Sequence, residues 1–365
     1  MNVKKKRSGV LASVLSKFFI FLITLIILVL ITALCLLGSI YHSPSPAFKD
    51  AFALSMMETS AMHFLVEWFL PPEEVQRILN QNKIDDTTVI SDPELVKIVI
   101  GDDSHAGDDE HGNSGDPSGG TKKLFEYNSD GIAVIEVTGK TYRGKMMIVR
   151  DPARVFIGTP KAYGTGAGGM TLSDMVTTTG SVAGINGGGF YDPGKVSALD
   201  GDVPTGINNS PGIVIKDSKI MYGKADYKYD IIGISKDNVL IVGKMTGKDA
   251  LGMGVREALN FGPSLIINGA ACKVEGASSG LNPRTAIGQR ADGAMMLLVI
   301  DGRQASSLGA TYEDLITVFM KYGAVNAANL DGGQSSMMIY NGDVITTPAT
   351  LYKPRKMSTC ILVKG

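Results

Sequence analysis

No charged side chain occurs between Lys17 and Lys49, and the run FFIFLITLIILVLITALCLL that starts at Phe18 is apolar throughout except for two threonines. About 20 such residues, coiled as a helix, match a hydrocarbon core of about 30 Å, so this stretch predicts a transmembrane anchor over residues 18–40. It is longer than the apolar core of a cleaved leader, which favours retention, although small residues at Gly38–Ser39 leave a cleavage site open. Lys4, Lys5, Lys6 and Arg7 form a basic tail, residues 1–17, that places the N-terminus in the cytoplasm and everything after about Ser43 outside.

Beyond the span, in the segment 41–100, residues Phe48 to Gln81 mix apolar and charged positions at helical spacing, and Pro71-Pro72-Glu73-Glu74 suits a fresh helix start. The expectation is a helical juxtamembrane stalk, preferred to a dimerising hairpin or a substrate clamp. Residues 101–123, GDDSHAGDDEHGNSGDPSGGTKK, contain too little apolar surface to order themselves and read as a flexible linker. His105 and His111 there are solvated linker residues in preference to metal ligands. The globular domain is then residues 124–365.

That domain contains no histidine, since the four in the chain are His42, His63, His105 and His111. A Ser-His-Asp triad and an imidazole zinc site inside it are excluded. With 35 basic and 36 acidic residues there is no basic excess for nucleic acid. Cys272 and Cys360 can pair if the domain is exported, but two separate small buried residues is the preferred reading. The sequence demands no cofactor. If a metal is present, carboxylate and carbonyl oxygens would select calcium or magnesium.

Residues 295–300, MMLLVI, form an unbroken apolar run that suits a buried strand and ends at Asp301-Gly302. Thr311 and Asp314 signal a helix start, Leu315, Ile316, Phe319 and Met320 keep helical spacing, and Gly323 suits the C-terminal cap. A small-residue strand, Ala324 to Leu330, then runs into Asp331-Gly332-Gly333. If the two strands are parallel, Asp301 and Asp331 share one rim of an α/β sheet, where they can act as an acid–base pair or hold a hard cation. TLSDMVT (171–177) echoes TYEDLIT (311–317), and each leads through a small-residue strand to a glycine loop, Asn186-Gly187-Gly188 or Asp331-Gly332-Gly333. The echo expects the two loops to face one pocket, with the N–H groups of Gly187, Gly188 and Gly189 open to an anion. Plain turns are the other reading of those glycines.

The motifs NGGGFYD (186–192), GPSLIINGA (262–270), NPRTAIGQRADG (282–293), VIDGR (299–303) and NLDGGQSSMM (329–338) occur in that order. Together they resemble the phosphodiester glycosidase family, which includes the lysosomal enzyme that uncovers mannose 6-phosphate and bacterial proteins labelled exopolysaccharide biosynthesis proteins. The resemblance spans 124–365. It implies an α/β (mixed α+β) domain with strand–helix–strand units that hydrolyses the glycosidic bond of a sugar-1-phosphate diester in an envelope or exopolysaccharide glycan. Arg284 is the expected phosphate ligand, with Arg303 second. Asp331 and Asp301 are the expected acid, base or nucleophile. Asn186 and Asn268 are candidates for sugar hydroxyls, and Thr285, Gly332, Gly333, Gln334, Ser335 and Ser336 for the lining. Gln334 stands where the family commonly has a third glycine, which bears on substrate identity. A fold-retaining glycan-binding or polysaccharide-assembly protein without chemistry is the alternative.

Overall fold

The computed structural model describes residues 2–59, 62–82, 84, 88–99, 124–161, 163, 168–191, 203–206, 210–276, 279–349 and 354–365, the side chains of 2–14 excepted. The linker expected at 101–123 lies outside the described residues, as do its two histidines.

Helix α1 (Asn2–Tyr41) contains a stretch, Leu15–Tyr41, that is 27 residues long and apolar enough to cross a membrane. Membrane anchors and signal sequences share that property. Three shorter helices follow, α2 (Pro46–Met57), α3 (His63–Phe69) and α4 (Pro72–Gln81), and Pro46 and Pro72 lie in the first turns of α2 and α4. Tyr41, Ala53, Leu54, Val66, Leu70 and Ile78 bury a small core of their own between these helices. Helix was expected as far as residue 100, but α4 ends at Gln81. Val89 and Ile90 are β-branched, and Pro93 forbids a helical residue before it. The segment lies over the globular body, extended except for a single 3-10 turn at Pro93–Leu95: Ser91 N–H donates to Val242 and Lys97 N–H to Ala291.

The globular body begins with hairpin β1 (Ile132–Thr138) and β2 (Arg143–Val149), then β3 (Val155–Gly158). Helix α5 (Leu172–Thr179) and β4 (Ser181–Asn186) lead to β5 (Gly189–Phe190), which pairs with β6 (Pro204–Thr205). There follow β7 (Val214–Lys216), β8 (Lys219–Tyr222), β9 (Lys228–Ser235), β10 (Leu240–Thr246), helix α6 (Gly247–Gly252) and β11 (Val255–Asn260). Next come β12 (Ser264–Ile267), β13 (Ala270–Ala271), β14 (Arg284–Arg290), β15 (Met295–Ile300), helix α7 (Tyr312–Lys321) and β16 (Ala324–Leu330). The described strands close with β17 (Met338–Tyr340), β18 (Asp343–Val344) and β19 (Cys360–Lys364).

Among the described residues the β5-β6 pair stands apart and three larger sheets form, in the orders β1-β2-β15-β14-β16-β12-β13, β10-β9-β11-β7-β8 and β18-β17-β4-β19-β3. One core, with Met147, Ile185, Ile234, Leu297, Leu330 and Ile361 among its members, joins all three. The apolar run of β15 now has its reason. Met295, Leu297 and Val299 enter that core, while Met296, Leu298 and Ile300 enter a second core that includes Leu315 and Phe319 of α7. Both faces are covered, so alternation disappears. Burying a side chain such as Leu315 or Phe319 contributes roughly 2–3 kcal/mol.

The helix signals hold. Thr311 caps α7 in a capping box with Asp314, and Thr171 accepts from the N–H of Asp174 at the start of α5. β15 and β16 are parallel to each other, as expected, but not neighbours. β14 lies between them, antiparallel to both. Every paired strand is antiparallel to its neighbour, so the open parallel-sheet geometry assumed for the rim is replaced by packed antiparallel sheets. The three cysteines are free: Cys272 borders the central core, while Cys360 is buried beside Met175.

Candidate active site

The rim is built where three strand ends coincide. In β14 Arg284 pairs with Ile300 and Thr285 with Leu330, so Asp301 and Asp331 leave the sheet on either side of Arg284. The two aspartates therefore lie two strand spacings apart, about 10 Å across the sheet. The same rim carries both, yet their surroundings differ. Asp301 accepts from Thr347 N–H at 2.8 Å, and the charges that bear on it are Lys145 and Glu136. Burial raises its pKa, opposed by the Thr347 hydrogen bond. Burial pulls the Arg303 pKa down, and the charges that bear on it are Glu58, Arg284 and Asp331, whereas those that act on Asp301 are Lys145 and Glu136.

The echo between the helix–strand units does place the loops together. β4 and β16 lie in different sheets that face each other across the central core, so their C-terminal loops meet. The Asp331 N–H donates to Gly187 O at 3.0 Å, and the Asn186 amide donates to Asp331 O at 2.5 Å. Thr285 Oγ1 donates to Asn186 Oδ1 at 2.7 Å, and Met337 N–H donates to the same oxygen at 3.2 Å. Both main-chain polar groups of Asp331 are thereby fixed. Asn186 and Thr285 are buried and spent on this junction, which corrects their expected contact with sugar.

The glycine cradle is corrected too. Gly187 N–H donates to Thr359 O at 3.1 Å and Gly188 N–H to Thr359 Oγ1 at 2.9 Å, so neither is open to an anion. These glycines are required for close packing instead. A Cβ on Gly187 would lie 2.6 Å from Thr359 Oγ1, and one on Gly189 would lie 2.7 Å from the Phe261 ring. Asn268 is at the far end of the sheet. β12 runs antiparallel to β16, so the Asn268 turn sits beside Val325, about 17 Å along β16 from Leu330. There it accepts from Asp92 N–H at 2.7 Å and ties down the 88–99 segment.

Arg284 is buried, with its guanidinium largely engaged. It donates to Ala310 O at 3.2 Å, Ser279 Oγ at 2.8 Å and Gly280 O at 2.9 Å, and its plane lies 4.5 Å from the Tyr312 ring centroid. Burial pulls its pKa down, but Glu58 at 2.8 Å and Tyr312 together more than offset this, so the net direction is up. Arg303 is the more exposed residue of the pair, but its guanidinium end is tucked in, where burial pulls its pKa down. Its backbone is held at φ +58°, a left-handed conformation that non-glycine residues rarely adopt and that tends to mark functional loops. It donates to Asn282 Oδ1 at 3.1 Å, and a Cβ on Gly333 would lie 3.5 Å from its Nη2.

Asn282 and Glu58 are members of the site that sequence reasoning missed. Asn282 bridges them all, donating to Glu58 Oε2 at 2.7 Å while accepting from Arg303. Glu58 comes from the C-cap of α2, which packs so closely that a Cβ on Gly280 would collide with Ser55. Asn282 stands inside the NPRT motif and was within reach; nothing in the sequence ties Glu58 to it across 224 residues.

Beside Asp331 the chain makes a short turn, Gly333–Ser335, held by Gly333 N–H donating to Pro283 O at 2.9 Å. Gly332 and Gln334 are half-buried along it. The hydroxyls of Ser335 and Ser336 are buried without a hydrogen-bond partner among the described residues. A buried hydroxyl without a partner is costly, so each of the two calls for a water or another polar group beside it. Among the described residues no group of three or more His, Cys, Asp or Glu side chains is placed to hold a metal.

A family model described as phosphodiester glycosidase matches residues 179–364, just over half the chain. The chain is 29% identical over 237 residues to the SPbeta prophage-derived uncharacterized protein YomE of Bacillus subtilis (strain 168), covering 58% of this chain and 33% of that protein. It is 24% identical over 255 residues to the N-acetylglucosamine-1-phosphodiester alpha-N-acetylglucosaminidase of Mus musculus, covering 62% of this chain and 46% of that one. The chain thus spans a third to a half of the length of these relatives. The catalytic domain of the zebrafish N-acetylglucosamine-1-phosphodiester alpha-N-acetylglucosaminidase, auto-inhibited by pro-peptide, shares the fold with a TM-score of 0.51 at 21% identity, over 72% of this chain and 87% of that domain.

Proposed function

Because the chain belongs to the phosphodiester glycosidase family, we propose that it hydrolyses the glycosidic bond of a sugar-1-phosphate diester at the Asp331–Arg303 rim, outside a membrane that α1 crosses. The observation that carries this reading is the approach of the Arg303 guanidinium to the turn that holds a backbone-fixed Asp331 and the buried hydroxyls of Ser335 and Ser336.

In this reaction the bond between the anomeric carbon and the phosphate oxygen breaks with its electron pair passing to oxygen. Water supplies the new oxygen at that carbon and gives up a proton. Arg303 is suited to the phosphate, whose charge rises as the bond breaks, and its planar fork can hold two oxygens. Asp331 faces the adjoining sugar, either taking the proton from water or attacking the anomeric carbon itself. Ser335, Ser336 and Gln334 are suited to sugar hydroxyls. Asp301 supports the Thr347 segment.

Arg284 is nearly fully buried and paired with the more exposed Glu58 at 2.8 Å, and Asn282 links Glu58 to Arg303. A phosphate oxygen reaching Arg284 must displace that carboxylate. Glu58 lies N-terminal to the family-matched region, and the zebrafish relative is described as auto-inhibited by a pro-peptide. Glu58 is accordingly read as a competitor for the anion.

The substrate class is an N-acetylglucosamine-1-phosphate diester or a close analogue in an envelope or exopolysaccharide glycan. Full-length protein, offered a panel of such diesters, should release free sugar and leave a phosphomonoester. Binding of the diesters with no turnover would favour a glycan-binding or assembly role.

A further inference from the structure

The chain has a single tryptophan, Trp68, and it is 72% exposed. Beside it on α3, one turn earlier, Phe64 is 44% exposed, and the two rings meet edge to face at 4.9 Å. An exposed aromatic pair of this kind gains nothing from water. His63 and Glu67 occupy the adjacent stripe, 3.5 Å apart, so the apolar and polar faces of α3 run side by side.

The position of α3 says what covers the pair. Phe69 of α3 stacks on Tyr41, the last residue of α1, with ring centroids 5.4 Å apart. A Cβ on Gly38 of α1 would lie 3.8 Å from the same Phe69 ring. α3 is therefore fastened to the end of the apolar Leu15–Tyr41 stretch, at the depth where a spanning helix leaves the hydrocarbon. Tryptophan and its aromatic neighbours are favoured at that level, with an apolar ring body and a polar tip between two solvents.

We infer that the Phe64–Trp68 face of α3 beds in the lipid headgroup layer of the membrane that α1 crosses. This rests on the reading of α1 as a retained span. It also bounds the height of Glu58. Glu58, which touches Arg284, precedes Phe64 by only six residues, so the Cα atoms of Glu58 and Phe64 are tethered within about 22 Å of each other.

The single indole makes the test direct. Full-length protein is placed in phosphatidylcholine–phosphatidylglycerol vesicles, with acyl chains either plain or brominated near the headgroup, and the vesicles are floated. The expected result is co-flotation of the intact chain with blue-shifted Trp68 emission, of which bromine removes about half or more. Phe64→Ser should weaken that quenching while flotation persists. Co-flotation with water-exposed, unquenched emission would overturn the inference and leave the anchor standing. Failure of the intact chain to float would overturn both. Blue-shifted but unquenched emission that depends on protein concentration would assign the face to a second copy of the chain and likewise overturn the proposal.

Discussion

The side-chain amide of Asn186 donates to the main-chain oxygen of Asp331 at 2.5 Å, joining residues 145 positions apart. The same side chain accepts from Thr285 and from the N–H of Met337. Removing it strands several buried polar groups at once. Asn186→Ala is expected to lower unfolding free energy by about 3 kcal/mol, measured by denaturant titration. It should also lower turnover, because the Asp331 main chain then keeps only its N–H bond to Gly187 O.

Arg303→Ala should leave the fold intact, since the residue is exposed and donates only to Asn282 among the described hydrogen bonds. Its expected effect is a fall of about 100-fold or more in kcat/KM for the diester, the scale of losing one charge-stabilising donor. Arg303→Lys should recover only part, because the bidentate fork is lost. Steady-state kinetics on a single diester check both.

Glu58→Gln keeps an acceptor near Arg284 and Asn282 but removes the counter-charge. Stability should drop by about 1–2 kcal/mol, less than for a fully buried pair because the Glu58 side chain is 32% exposed. If the carboxylate competes with substrate phosphate, kcat/KM rises several-fold, roughly the release of an intramolecular competitor. A loss of about 100-fold would instead assign Glu58 to the chemistry.

The α2–α4 hairpin should be acid-sensitive. Hydrogen bonds from Arg77, then from Lys49, hold the Glu74 carboxyl down at about 2, against an ordinary 4.5. The unfolded hairpin binds the proton more readily, so this support is complete above about pH 4.5 and is lost as pH falls toward 2. Limited proteolysis across that window should show the hairpin opening first. Glu74→Gln should flatten the response.

Much of this was legible locally. The β15–α7–β16 unit could be read because its signals lie within a few residues of the structure they specify: a run buried on both faces, the Thr311–Asp314 cap, and Gly323 with φ +77°. The meeting of the two glycine loops was legible for the same reason, through the repeated Thr–Asp helix start. What failed depended on partners distant in sequence. Gly187 and Gly188 resemble an anion cradle until Thr359 takes up their N–H groups. Asn268 shares a motif with the site but turns at the opposite end of β12. Arg284 was expected to be the open cation, whereas Glu58, brought in by α2, neutralises it and leaves Arg303 the more exposed of the two.

Hydrolysis in ¹⁸O-labelled water tests the central claim most directly, because it reports which bond breaks. Attack at the anomeric carbon places the label on the released sugar and leaves the phosphomonoester unlabelled, and Asp331→Asn should suppress that product. Label found in the phosphate instead would contradict the account, since it would put the chemistry at phosphorus.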